Sequence, residues 1–367
     1  MRERTRERLR RLPFPPLRDL VDKHPSTGAN LDVLDGVRGL AVVLVIASHS
    51  GAFGLDDHGA VGVWLFFALS AFLLTMPFTR HPERLGDPRW LGRYVARRLR
   101  RILPPYFLLL AVWWVFVGGA SDTILRHALF LEGNLHLWSI PQEMLFYLLL
   151  PFLAALYPLV FRRNALAAAL GFAALAALAS FGLTVGRFSL TTNGHPQRFF
   201  LAVFLCGMAA SYAAQAPVLI EIARRPAARR ILNGVGFVLL ALLVLTARSY
   251  HEVAAQWIPV LRQLSPPLGW VHPGAFGAIA GALIFIAVVC TGSAIQRTMS
   301  ALPLRALGLV SYSAYLLHVP IGFTLASLVP RGLGRFAIVL AASYGLACLS
   351  YTFIERPFLV IRSKDSG

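Results

Sequence analysis

The sequence predicts an all-α, polytopic transmembrane bundle of about ten helices with both termini in the cytoplasm. Three observations carry this. Of 367 residues, 57% are hydrophobic and only 14% are charged, against an ordinary quarter. A soluble fold of this size cannot hide so much apolar surface, whereas a bilayer requires no hiding. The apolar residues fall into ten runs near the roughly 20 residues that cross a hydrocarbon core. Lysine and arginine then alternate: every second connection, counted from the N-terminus, holds about 27 of them in total, and the others about 7.

In order, residues 1–30 form a basic, Pro-containing leader, amphipathic or disordered, on the cytoplasmic side. It is too charged to contain the apolar stretch of a cleavable signal. The spans follow at 34–53, 60–78, 102–119, 140–161, 165–185, 198–214, 231–247, 272–290, 307–329 and 335–353. Residues 31–358 make one transmembrane domain, and 359–367 a cytoplasmic tail. The positive-inside bias needs an even number of spans to keep both termini on one side, and ten satisfies it. The localisation that follows is the cytoplasmic (inner) membrane. The net charge of +18 is clustered between apolar runs, which fits orientation in a membrane and argues against nucleic acid as a partner. Cys206, Cys290 and Cys348 stand singly in apolar stretches, with no spacing for a disulfide framework or a metal. Glycines inside the spans read as helix-packing positions, and no internal repeat suggests an inverted-repeat transporter.

Ionisable groups inside a span cost at least about 2.5 kcal/mol and need a reason. Arg38 and His49 are eleven residues apart, close to three turns, so they share a helix face about 16 Å apart along the axis. An arginine at the mouth can hold a phosphate-rich molecule, and a neutral histidine deeper in can take a proton from a hydroxyl. Singly, Arg38 also reads as an interface anchor and His49 as a packing residue. Arg98 and Arg101, in a basic run before Pro104–Pro105, can project towards one anion or towards lipid headgroups. Ser139 and Pro141 mark a helix start, with Ser139 as a possible N-cap. Glu143 in its first turn either complements the helix dipole or orients His49 from across the bundle. Tyr312, Tyr315 and His318 repeat at three-residue spacing on one face and can bond between helices. Glu355 and Arg356 read as interface anchors. There is no P-loop, no GxSxG elbow, no HExxH and no Asp-rich metal–pyrophosphate motif.

Together these patches resemble acyltransferase family 3, the membrane O-acyltransferases of O-antigen, peptidoglycan and macrolides. The resemblance rests on LDVLDGVRGLAVVLVIASHS, GVWLFFALSAFLLT, RRLRRILPPY, WSIPQEMLFYLLLP, SYSAYLLHVP and SYTFIERPF, in that order from about Leu31 to Phe358. It implies a bundle of about ten helices that takes an acyl group, commonly acetyl, from cytoplasmic acyl-CoA and passes it to a hydroxyl of a glycan or glycosylated acceptor. By the same resemblance His49 is the base or acyl-transfer residue assisted by Glu143, and Arg38, Arg98 and Arg101 bind the donor or position helices. Ser139, Tyr312, Tyr315 and His318 are further pocket residues, and no metal is expected. The chain departs from the pattern at Ala71, where a glycine is usual, and at Gln142–Glu143–Met144, where valine and two acids are common. No esterase-like domain follows Phe358, so the reaction is expected to finish in the membrane or pass to a partner. The rival reading is a transporter or flippase of glycoconjugates, which buried polar residues also suit.

Overall fold

The computed structural model describes residues 30–55, 59–117, 121–182, 189–192, 195–198, 200–246 and 273–360, together with Pro16 and Asp19. The chain is helical nearly throughout. Its helices are α1 (Asn30–Ser50), α2 (Ala60–Arg80), α3 (Pro88–Val117), α4 (Ser121–Ala128), α5 (Ser139–Leu159), α6 (Ala165–Gly182), α7 (Leu201–Ala213), α8 (Pro217–Arg224), α9 (Pro226–Leu245), α10 (Pro273–Val289), α11 (Ala294–Met299), α12 (Leu302–Leu309), α13 (Ser311–Thr324), α14 (Leu333–Ser350) and α15 (Arg356–Val360). A two-stranded antiparallel hairpin, β1 (Ser189–Thr192) with β2 (His195–Arg198), precedes α7.

Within the described residues each predicted span falls mainly on helix, but not every span is a straight crossing. Among the described residues, five helical stretches are long and apolar enough to cross a membrane, or seven if each of two bent pairs counts as one. The expected span 307–329 is broken: α12 and α13 meet at 79°, because the chain leaves helical geometry at Val310 (φ −103°, ψ 12°). The expected span 198–214 is shorter than predicted. Arg198 lies in β2, α7 begins at Leu201, and α7 meets α8 at 73° across a break ahead of Pro217. Of the run at 102–119, residues 102–117 are the apolar half of the 30-residue α3, whose first half carries the basic residues, and 118–119 lie outside the described residues. Of the leader, only Pro16, Asp19 and Asn30 are described, and of the tail only Leu359 and Val360; the remainder of those two expectations lies outside the described residues.

The outer surface is apolar, as a lipid-facing surface must be: Leu148, Phe152 and Leu159 on α5 are 70–77% exposed. Inside, α7 packs against α2, α6 and α10, while α1 packs against α2, α12, α13 and α14. The α1–α12 crossing is close enough to exclude side chains. A Cβ on Gly39 would overlap the carbonyl of Leu304, and one on Gly308 that of Asp35. The buried guanidinium of Arg305 on α12 pairs with Asp32 on α1 at 2.5 Å. At Ala71, where the resemblance leads one to expect a glycine, the small partner is on the other helix, since Gly207 of α7 rests on Ala68 and Ala71.

Glu355, expected at an interface, is instead 1% exposed. A π-turn over Tyr351–Glu355 carries it inwards, where Ser313 donates to it at 2.6 Å. Arg356 and Tyr351 both bond Asp19, tying the leader to the last helix.

The α1–α12 crossing yields a stability prediction. Gly39→Val and Gly308→Val should each destabilise the purified protein by at least the ~1–3 kcal/mol of an overpacked core. Gly234→Val on α9, where the neighbouring space is open, should leave the melting temperature within error. Thermal unfolding in detergent reads both.

Candidate active site

The polar residues predicted from the sequence converge from four helices. A cavity of about 90 Å³ is lined by Arg38 of α1, Ser70 of α2, Arg98 and Arg101 of α3, Ser139, Glu143 and Tyr147 of α5, and Tyr312 and Tyr315 of α13. Ser139, Glu143 and Tyr147 are spaced by four and therefore share a face of α5. Arg38 bonds Asp35 one turn earlier at 3.2 Å. Tyr312 donates to the carbonyl of Ile102 at 3.0 Å, which fixes α13 to α3.

Glu143 accepts hydrogen bonds from Ser70 Oγ at 2.8 Å and Tyr147 OH at 2.6 Å. It does not bond His49, so the predicted pairing across the bundle is not formed. The reason is its position: Glu143 is one turn into α5 and faces the cavity, whereas His49 ends α1 beyond it. Ser139 is not the N-cap either. Trp138 holds that position, and Ser139 Oγ turns instead to Tyr315 OH at 2.8 Å.

His49 stands outside the cavity lining, in a cluster of histidines. Its Nδ1 lies 3.0 Å from the carbonyl of Val45 and 3.4 Å from Nε2 of His318. His318 sets its own Nδ1 2.5 Å from the carbonyl of Tyr315. A carbonyl only accepts, so in both rings Nδ1 carries the proton and Nε2 keeps the lone pair. The basic nitrogen of His49 is thereby fixed as Nε2. Gly59, at φ 78°, lets the chain pass directly against the His49 ring, with which a Cβ would collide. Ser48 Oγ accepts from the Gly59 amide at 2.9 Å and holds this turn.

A third ring, His136, packs edge-on against His318 with centroids 5.3 Å apart. Its Nε2 faces the carbonyl of Leu316 at 3.0 Å, which leaves the lone pair on buried Nδ1. Sequence reasoning passed over His136 because it lies in a short connection and shares no helical spacing with the other polar residues. Ser70 was also missed, being one small hydroxyl in an apolar span. Among the described residues, no group of three His, Cys, Asp or Glu side chains is arranged to hold a metal ion.

At the mouth of the cavity lies a wider basic vestibule of about 450 Å³. It is lined by Arg97, Arg98, Arg100 and Arg101 with His81, Trp90 and Tyr94, and it shares Arg98 and Arg101 with the cavity. The polar groups thus run in file from the vestibule through Arg38 and Glu143 to Ser139 and Tyr315, then to His318 and His49.

A family model described as an acyltransferase domain matches residues 31–353. The chain is similar to a protein of Komagataeibacter xylinus named as a membrane-bound transacylase, BcsY, at 25% identity over 88% of this chain and 81% of the relative. It is also similar to the peptidoglycan O-acetyltransferase OatA of Listeria monocytogenes, at 25% identity over 88% of this chain and 55% of that protein. The O-acetyltransferase OatA of Staphylococcus aureus matches at 25% identity over 90% of this chain and 57% of its own length. The chain therefore spans most of the first relative and little more than half of the other two. No solved structure matches it.

The ring assignments are open to measurement. In ¹⁵N-histidine spectra of the protein in lipid at neutral pH, His49 and His318 should show Nδ1–H tautomers and His136 the Nε2–H tautomer. The reverse tautomer at His49 would contradict the hydrogen bonding described.

Proposed function

Because the chain belongs to acyltransferase family 3, whose model covers residues 31–353, we propose that it is a membrane O-acyltransferase acting on a glycan or glycosylated acceptor. The donor is cytoplasmic acyl-CoA, with acetyl as the transferred group, and the protein sits in the inner membrane with both termini in the cytoplasm. The observation that carries this reading is the file of residues from the basic vestibule to the paired histidines. The vestibule is of a size that holds a nucleotide-like ligand, and the cavity beyond it is far too small for one but admits a slender chain. The phosphates of the donor dock on Arg97, Arg98, Arg100 and Arg101, whose guanidinium groups match them bidentately. The pantetheine arm then enters past Arg38.

His49 is the general base. Its Nε2 takes the proton of the acceptor hydroxyl as that oxygen attacks the thioester carbonyl. The tetrahedral intermediate collapses to the ester and expels the thiolate, which recovers the proton from the imidazolium. His318 and Val45 hold the tautomer that this requires. Glu143 acts from the cavity, where it lies among the three arginines, and not through His49.

Two measurements follow. Thiol release from acetyl-CoA by protein in lipid, with a panel of glycans and cell-wall extracts as acceptors, should fall by ~10²–10⁴-fold in His49→Ala. Unchanged transfer by that variant at normal abundance would remove His49 from the mechanism. Arg98→Gln with Arg101→Gln should raise the KM for acetyl-CoA about tenfold or more while leaving kcat closer to wild type, as expected for lost donor binding.

A further inference from the structure

The donor cavity and the histidine cluster are adjacent but separate, and one side chain borders both. Tyr315 lines the cavity, while its ring lies 5.6 Å from that of His318 and 5.6 Å from that of His136. Its hydroxyl is held twice. It donates to the backbone carbonyl of His136 and accepts from Ser139 Oγ at 2.8 Å. A carbonyl can only accept, so the phenol proton is committed to His136 and Ser139 supplies the second bond. The ring is 5% exposed and packs edge-on to Phe66, another wall of the cavity. Behind it, His318 is 1% exposed.

We propose that Tyr315 is the gate between the cavity and the His49–His318 pair, held shut by its bonds to Ser139 and to the His136 carbonyl. The proposal takes its purpose from the acyl-transfer reading. A thioester resting in the cavity meets a closed wall, and it meets the base only when the phenol releases both partners and the ring turns aside. Closure keeps the thioester from the base and from water, so that the acyl group is not lost to hydrolysis before an acceptor is in place. Both latch bonds come from the connection and first turn that lead into α5. Glu143 follows Ser139 one turn later on the same face of α5, so movement of this end of the helix would open the gate and shift a cavity group together.

The barrier can be tested without turnover. Protein in lipid vesicles is treated with diethyl pyrocarbonate, which carbethoxylates accessible imidazoles, and each histidine is read by peptide mass spectrometry. In wild type, His318 should react slowly. In Tyr315→Ala it should react about tenfold faster, and in Tyr315→Phe, which keeps the ring but loses both bonds, by an intermediate factor. His127, fully buried on α4 and bonded to Thr123 and Asn134, reports the fold and should be unchanged. If Tyr315→Ala disturbs His127, Tyr315→Phe decides. His318 no more reactive in the deciding variant than in wild type overturns the gate. Excess CoA should suppress the gain in both variants. A gain that CoA leaves untouched supports the gate and counts against donor docking in the vestibule, which separates the two readings. Acceptor-independent thiol release from acetyl-CoA should also rise several-fold in Tyr315→Phe.

Discussion

The crossing of α1 with α12 is the constraint on which the rest of this structure depends. Between helices in lipid there is no hydrophobic drive to associate, so close backbone approach through small residues must do much of the work. Gly39 and Gly308 provide it, and buried Arg305, paired with the more exposed Asp32, fixes the register along the axis. Because α12 is pinned there, the sharp turn at Val310 sends α13 alongside α1 rather than away from it. Tyr312, Tyr315 and His318 are thereby delivered to the face of the bundle that also receives His49. A wider crossing would separate the two imidazoles beyond contact.

The two interior glutamates are each held in a short local set of donors. Glu143 is held by two hydroxyls in a cavity with three arginines, and Glu355 by the hydroxyl of Ser313. Each set would be expensive if one member were lost, because a buried carboxylate without donors has no water to turn to. That cost explains why the site is assembled from rigid helix faces rather than loops. Ser139, Glu143 and Tyr147 on a single face of α5 contribute three lining groups with one backbone commitment.

Much of this was legible in the sequence, and the exceptions have physical causes. Hydropathy located the helices because every lipid-facing turn must be apolar, but it could not see the break at Val310. Leu307, Leu309 and Val310 are as apolar as any span, and the break is imposed by packing on α1. Helical spacing found the faces that carry Arg38, Arg98, Arg101, Glu143, Tyr312 and Tyr315, and the structure gathers all six around one cavity. Spacing says which residues share a face and nothing about which face lies opposite. For that reason the partner of His49 was sought on α5 and is found on α13. Ser70, Arg305 and His136 were overlooked because each is a lone polar residue whose meaning comes from a neighbour far along the chain.

The leader's contact with the last helix has a consequence for how the protein is made. Asp19 bonds Arg356 across 337 residues, and Asp32 bonds Arg305 across 273. Asp32 leaves the ribosome 273 residues ahead of Arg305, its partner. Until then Asp32 and His49 must be carried by an unfinished bundle that lacks Arg305 and His318. Such long-range closure is slow, since the loop must be spanned before any contact rewards it. A chain truncated before Arg305 would leave Asp32 without the arginine that pairs with it, which marks it for quality control.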